Sequence, residues 1–245
     1  MKETKHGPAF PLTRWSLVTR AADAEDPSQR AALEELCQLY WFPLYAFARQ
    51  RGNPPEDAED CTQGFFLEIL QSNLFGEADP SRGKLRTFLL SAFQRYLIDS
   101  HRRQKAAKRG GQFEQVPLDT HSAEERYQAE QLPQVSPEDI FDREWALTVL
   151  QKSLAELADQ YQADGKAQLL EHVKPFLDTE ASSPSQYDEL CAAAALSRSA
   201  ARQAVHRVRD RFRQILRTLV ADTLRDTSEA AVDEELSALH KILAR

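Results

Sequence analysis

The stretch YDELCAAAALSRSAARQAVHRVRDRF, Tyr187 to Phe212, concentrates side chains suited to reading DNA. A short helix, a tight turn at Ala195-Leu196-Ser197 and a longer basic helix predict a helix-turn-helix, the unit that lays its second helix in the major groove. Leu190, Leu196, Ala201, Val205, Val208 and Phe212 would hold the two helices together. Arg198, Ser199, Arg202, Gln203, His206 and Arg207 then face outward, where Arg suits guanine edges and phosphates and Gln suits adenine. A plain helical hairpin with a solvated arginine face gives the same local pattern, and stands as the alternative.

A second basic stretch, KLRTFLLSAFQRYLIDSHRR, runs from Lys84 to Arg103. Interleaved cations and aromatics suit phosphate contacts combined with base stacking on single strands. Phe88 and Phe93 share an apolar stripe and are read as core instead. Chemistry beyond binding finds no support. HExxH, GxSxG, P-loop and GxGxxG patterns are absent, and the six histidines have no ligand spacing. Cys37, Cys61 and Cys191 form no CxxC pair and fall among apolar helix positions, which reads as reduced, buried thiols. The expectation is therefore a protein that is not an enzyme, with no catalytic residues, no metal and no cofactor.

The net charge of −7 hides a segregation. Residues 82–111 carry nine Lys or Arg and one Asp, a net of +8; residues 198–217 carry seven Arg and one Asp, a net of +6. The rest of the chain holds −21. Two basic islands on an acidic body predict two anion-binding surfaces beside a face made for a basic partner. Hydrophobic residues at 42% and charged residues at 28% fit a globular protein. No run reaches the ~18 apolar residues of a membrane span, and the N-terminus lacks the apolar core of a secretory signal. A cytoplasmic protein without membrane insertion is expected.

Helical periodicity covers nearly the whole chain, with Gly scarce and no period-2 run, so the expected class is all-α. A first helix is predicted over 31–51, with Leu33, Leu36, Cys37, Tyr40, Leu44, Phe47 and Ala48 inward. Gly52-Asn53-Pro54-Pro55 stops it. A second starts near Glu56 with Ala58, Cys61, Phe65, Phe66 and Ile69 inward and acids in its first turn. A loop over 72–84 leads to a third helix over 85–108, ended by Gly110-Gly111. Residues 112–139, rich in acids and containing Pro117, Pro133 and Pro137, read as an interdomain linker. Helices resume at Phe141 and Trp145, and again over 166–177. The tail, with Val232, Leu236, Leu239, Ile242 and Leu243 on one face, reads as a helix packing back on a domain.

Taken in order, these segments resemble the extracytoplasmic-function group of the sigma-70 family. Ala58-Glu59-Asp60-Cys61-Thr62-Gln63-Gly64-Phe65-Phe66-Leu67 resembles that family's clamp-binding helix, residues 84–103 its −10 promoter helix, and residues 187–213 its −35 helix-turn-helix. Leu12 to Val18 and Trp41-Phe42-Pro43-Leu44-Tyr45 are similar to a subgroup with a longer N-terminus. The resemblance implies a sigma factor that directs core RNA polymerase to promoters, with the β′ clamp and β flap as partners beside promoter DNA, and an anti-sigma factor as a further partner typical of such proteins. It implies core-polymerase contacts at Glu56, Asp57, Glu59, Asp60, Gln63 and Phe66. It implies −10 contacts at Arg82, Lys84, Arg86, Arg95, Tyr96, Arg102 and Arg103, with Asn73 to Gly83 as the base-capturing loop. The −35 contacts would be Arg198, Ser199, Arg202, Gln203, His206 and Arg207. The implied layout is an N-terminal extension over 1–28, a sigma-2-like helical bundle over 29–111, the acidic linker over 112–139, a sigma-4-like domain over 140–220 and a C-terminal helical extension over 221–245. The acidic linker, through Glu124, Glu125 and Glu130, is a candidate for threading the polymerase's basic interior. Three positions depart from the family pattern: Gly64 where Glu is usual, Arg95 where Asn is frequent, and Ala195 in place of the turn Gly. A stand-alone helix-turn-helix regulator of duplex DNA is the rival reading; it leaves residues 58–67 and 84–103 unexplained.

Overall fold

The computed structural model describes Ala21 and residues 27–71, 84–107, 121–129, 135–177, 184–224 and 226–244. Among them the fold is all-α, with no strand. The helices are α1 (Gln29–Gln50), α2 (Pro55–Gln71), α3 (Leu85–Ala107), α4 (His121–Ala129), α5 (Pro137–Ala163), α6 (Ala167–Val173), α7 (Pro184–Ala193), α8 (Arg198–Ala221) and α9 (Glu229–Leu243). A 3₁₀ turn, Lys174–Leu177, follows α6. No helix among the described residues is long and apolar enough to cross a membrane. The segment Leu12 to Val18 and the loop Asn73 to Gly83 lie outside the described residues.

The chain forms two compact units. One comprises the described residues up to Ala146 together with those from Ala221 onward; the other is Leu147–Val220. This division differs from the expected layout at both ends. The opening turns of α5 and the whole of α9 belong to the first unit, so the C-terminal segment is part of a folded body.

The first unit is built on α1, α2 and α3. The break between α1 and α2 falls where the sequence placed it, whereas the expected stop at Gly110-Gly111 lies outside the described residues. Gly52 takes φ +87° after α1, and the Asn53 N–H reaches the Ala48 carbonyl at 3.2 Å. The Asn53 side chain donates to the same carbonyl at 2.7 Å, and the reversal needs a residue tolerant of left-handed backbone. Pro55 then opens α2, where a missing N–H costs nothing. Phe47, Phe65 and Phe93, one from each helix, meet in the centre. The Phe47 and Phe93 rings lie 6.1 Å apart and those of Phe65 and Phe93 5.1 Å apart. Ile140, Phe141 and Trp145 from α5 and Val232 and Leu239 from α9 are buried in the same unit.

From Leu39 to Ala48, apart from Trp41 and Phe42, α1 is buried nearly all round, more than one apolar stripe requires. The reason is α4. The segment read as an interdomain linker contains this helix, which docks on α1: Glu124 accepts from the Tyr45 hydroxyl at 2.5 Å and from Arg49 at 2.8 and 2.9 Å. Arg126 lies over the Phe42 ring at 3.8 Å and donates to the buried Glu144 at 2.9 Å. Tyr127 donates to Gln50 at 3.0 Å. The three cysteines are free. Cys61 is buried, whereas Cys37 and Cys191 are only half-buried. Burial, followed by the Glu34 charge, pushes the Cys37 thiol up to about 11, which keeps it protonated and inert.

Gly64 faces α3. A Cβ placed there would overlap the Tyr96 hydroxyl, and the Tyr96 ring is held against Phe65 (5.7 Å) and Phe93 (6.4 Å). Glycine in mid-helix sacrifices roughly 1 kcal/mol of propensity, and the close crossing of α2 and α3 is what that sacrifice permits. Gly64→Ala is expected to destabilise the first unit, because overpacking costs about 1–3 kcal/mol and outweighs the propensity gain. Urea unfolding checks it, and Tyr96→Phe in the same chain should restore most of the loss by removing the clashing oxygen.

Candidate nucleic-acid interface

In the second unit, α7 and α8 are joined by four residues and form the expected helix-turn-helix. The turn is a helix-terminating motif: the Leu196 N–H reaches the Cys191 carbonyl at 3.0 Å, with Ala195 at φ +52° between them. Ser197 then caps α8, its hydroxyl accepting from the Ala200 N–H at 3.2 Å. Leu190, Ala201, Val205 and Val208 are buried as expected, and Ala204 joins them; Leu196 and Phe212 are half-buried. The opposite stripe of α8 presents Arg198, Ser199, Arg202, Gln203, His206 and Arg207, all exposed. Arg198 pairs with Asp188 at 3.0 Å and His206 with Asp210 at 2.6 Å.

The seven arginines of this island divide by role. Arg209 donates through Nε to the Phe176 carbonyl at 2.7 Å. Arg211 donates to Gln160 at 2.6 Å and to Asp164 at 2.8 Å, with its guanidinium 5.6 Å from the Tyr161 ring centre. These two hold α8 to α5 and to the segment after α6. The segment after α5 adds to this core: Leu170, Val173 and Phe176 are buried, and Phe176 packs on Tyr187 of α7 at 5.0 Å. A charged groove of about 340 Å³ lies along α8, lined among others by Tyr161, Lys166, Arg207 and Gln214.

In the first unit α2 points Ala58, Cys61, Phe65 and Ile69 inward and carries its acids outward. Glu56 and Asp60 are exposed, Asp57, Glu59 and Gln63 half-buried, and Gln63 donates to Glu59 at 2.9 Å. Partial burial, then the charges of Asp57 and Glu56, lift the Asp60 carboxyl above its ordinary value. Crowded like charges of this kind are relieved by a basic partner. Phe66, read from the sequence as inward and by resemblance as a polymerase contact, is 9% exposed and edge-on to Phe65 at 6.0 Å.

The basic stretch on α3 also sorts differently from expectation. Arg95 and Arg102 are exposed, Arg102 near Asp99 at 3.6 Å. Arg86, expected at DNA, is instead only 8% exposed. It is ion-paired to Asp142 of α5 and to Glu235 of α9 (2.9 Å from Nε), and lies 5.1 Å from the Trp145 ring centre. Lys84 is half-buried and bonded to the same Glu235. Tyr96 is half-buried in the aromatic cluster rather than splayed outward. Arg82 and the Arg103 side chain lie outside the described residues. Among the described residues no group of three or more His, Cys, Asp or Glu could hold a metal ion. The sequence reading missed Glu235 and Glu124 as partners, since each lies far along the chain from the cations it meets.

Residues 39–107 match the family model of Sigma-70 region 2. The matched span starts within α1 and closes at the last residue of α3, so it covers the three-helix core and both of its charged helices. No curated protein and no solved structure matches the chain. The similarity is to that region and extends over residues 39–107 alone.

Two outcomes follow from local geometry. Ala195 occupies a left-handed conformation that costs an L-residue roughly 1–2 kcal/mol, so Ala195→Gly should raise the stability of the second unit by about 1 kcal/mol after glycine's unfolded-state entropy is subtracted. Denaturant midpoints of the two proteins provide the comparison. Glu124 is held at about 2 by hydrogen bonds from Arg49, then from Tyr45 and Gln128. Because this depressed carboxyl is charged when folded, its contribution is fully present above the ordinary carboxylate range and is lost as pH falls toward 2. Amide exchange of α4, taken relative to the intrinsic rate at each pH, should therefore accelerate over that fall in the native protein. In Glu124→Gln it should already be fast near neutrality, with the acid-dependent part removed.

Proposed function

We propose that the chain is an RNA polymerase sigma factor of the extracytoplasmic-function group, working in the cytoplasm as a non-enzymatic specificity subunit. The observation that carries this reading is the region 2 match on α1–α3, a three-helix core with an acidic helix beside a basic one. The acidic row of Glu56, Asp57, Glu59, Asp60 and Gln63 would dock on the basic β′ clamp of core polymerase, where complementary charge speeds encounter and fixes register. Arg95 and Arg102 would contact the −10 region from α3. The exposed stripe Arg198, Ser199, Arg202, Gln203, His206 and Arg207 would read the −35 element in the major groove. The second unit would also meet the β flap, and an anti-sigma factor would compete for these surfaces. Glu124, engaged by Arg49 and Tyr45, would have to leave α1 before the linker could thread the polymerase.

Size-exclusion chromatography with bacterial core polymerase, followed by run-off transcription on genomic fragments, tests the assignment. Co-elution with promoter-specific transcripts is expected. Replacing Asp60 and Gln63 with Ala should weaken co-elution while the helical signal stays intact. Arg198→Ala or Arg202→Ala should cost roughly 1–3 kcal/mol of −35 discrimination, the worth of a bidentate base contact. Sequence-specific duplex binding without any association with core polymerase would instead establish a free-standing helix-turn-helix regulator.

A further inference from the structure

The C-terminal segment covers the opening of α3 with three separate contacts. The Thr223 carbonyl accepts the Leu85 N–H at 3.4 Å, at the positive end of the helix. Glu235 takes the Lys84 ammonium and, at 2.9 Å, the Arg86 Nε. The carboxylate is 1% exposed. An ammonium and a guanidinium converging on two oxygens form the arrangement that binds a phosphate, and Glu235 sits where the phosphate oxygens would be. The covering segment has matching composition: Asp226, Glu229, Asp233, Glu234 and Glu235 are acids, and residues 226–240 contain no Lys or Arg.

The energetics favour a removable cover over a structural rivet. A buried ion pair returns little net stability, since desolvation offsets most of the attraction. Val232 and Leu239 are the buried hydrophobic residues of α9, while Leu236, Ile242 and Leu243 are only half-buried. Asp142 stays beside Arg86 when α9 departs, so the guanidinium keeps a counter-charge in both states. Lys84 loses its carboxylate partner, and that asymmetry makes the exchange of Glu235 for an outside anion feasible.

We propose that α9 is an autoinhibitory polyanion mimic: Glu235 masks Lys84 and Arg86, and the phosphodiester backbone of single-stranded DNA displaces it. The proposal rests on the sigma-factor reading for its biological setting, since Lys84 and Arg86 open the helix expected at the −10 region, but its test uses no polymerase. Binding of a labelled single-stranded oligothymidine by the full chain is followed by fluorescence anisotropy across a salt series, for the native protein, Glu235→Gln and Val232→Ala. Both variants loosen α9, one through charge and one through packing, so a folding failure in either leaves the other decisive. Each should bind about three- to tenfold more tightly at low salt, with the slope of log affinity against log salt steeper by about 1, as expected for one or two newly available cations. Adding Lys84→Gln should cancel the gain. In the native protein, saturating oligothymidine should accelerate amide exchange throughout α9. Unchanged affinity in both variants, a gain that survives Lys84→Gln, or undisturbed α9 exchange on a bound complex overturns the proposal. Native protein that co-elutes with core polymerase while the variants show no gain would overturn the mask alone; a gain without co-elution would overturn the sigma reading alone.

Discussion

A guanidinium that enters a protein interior must bring its counter-charges with it, and Arg86 sets that condition for the first unit. Its charge is met from two directions, by Asp142 at the start of α5 and by Glu235 in the middle of α9, while the Trp145 indole lies 5.1 Å from it. Asp142 keeps a counter-charge beside Arg86 whether or not α9 is seated, and Glu235 supplies the second. The requirement ties together three elements that no short-range signal connects. It also explains why the opening turns of α5 and the whole of α9 fold with α1–α3 rather than with the helix-turn-helix.

The same logic of paired charge distinguishes the basic residues that build the protein from those left to meet a partner. Arg49 is spent on Glu124, Arg126 on Glu144, and Arg211 on Asp164 and Gln160. The surface of α8 also carries a stripe of six polar or basic side chains at one- and four-residue steps, two of them paired only locally (Arg198 with Asp188, His206 with Asp210), backed by the small residues Ala201 and Ala204. Close backing by alanine lets α8 sit deep against its neighbours while its outer face stays clear. On α2 the arrangement is inverted, with phenylalanines inward and a row of carboxylates outward. Opposite charges on separate helices are what a protein between a basic enzyme surface and an anionic polymer requires.

Interaction surfaces in the first unit are partly occupied from within. α4 covers one flank of α1 through Glu124, and α9 covers the opening of α3 through Glu235. In both cases a carboxylate from an acidic segment engages basic side chains of the core bundle. On the proposed reading, engagement of nucleic acid or polymerase would exchange one anion for another, a reaction whose balance is sensitive to salt and to competing polyanions.

The sequence by itself determined the helices of the core bundle and of the helix-turn-helix. Periodic apolar residues located α1, α2 and α3, Gly52 and the two prolines marked the break between the first two, and the Ala195-Leu196-Ser197 turn located the helix-turn-helix with its outward stripe. These features depend on residues a few positions apart, within reach of a 3.6-residue repeat. The tertiary structure alone decided which cations stay available. Arg86 finds Glu235 at a separation of 149 residues and Arg49 finds Glu124 at 75, distances over which periodicity carries no information. Gly64 makes the same point from the side of packing. In sequence it is a departure from an acidic position; in the folded unit it is the gap that the Tyr96 hydroxyl fills.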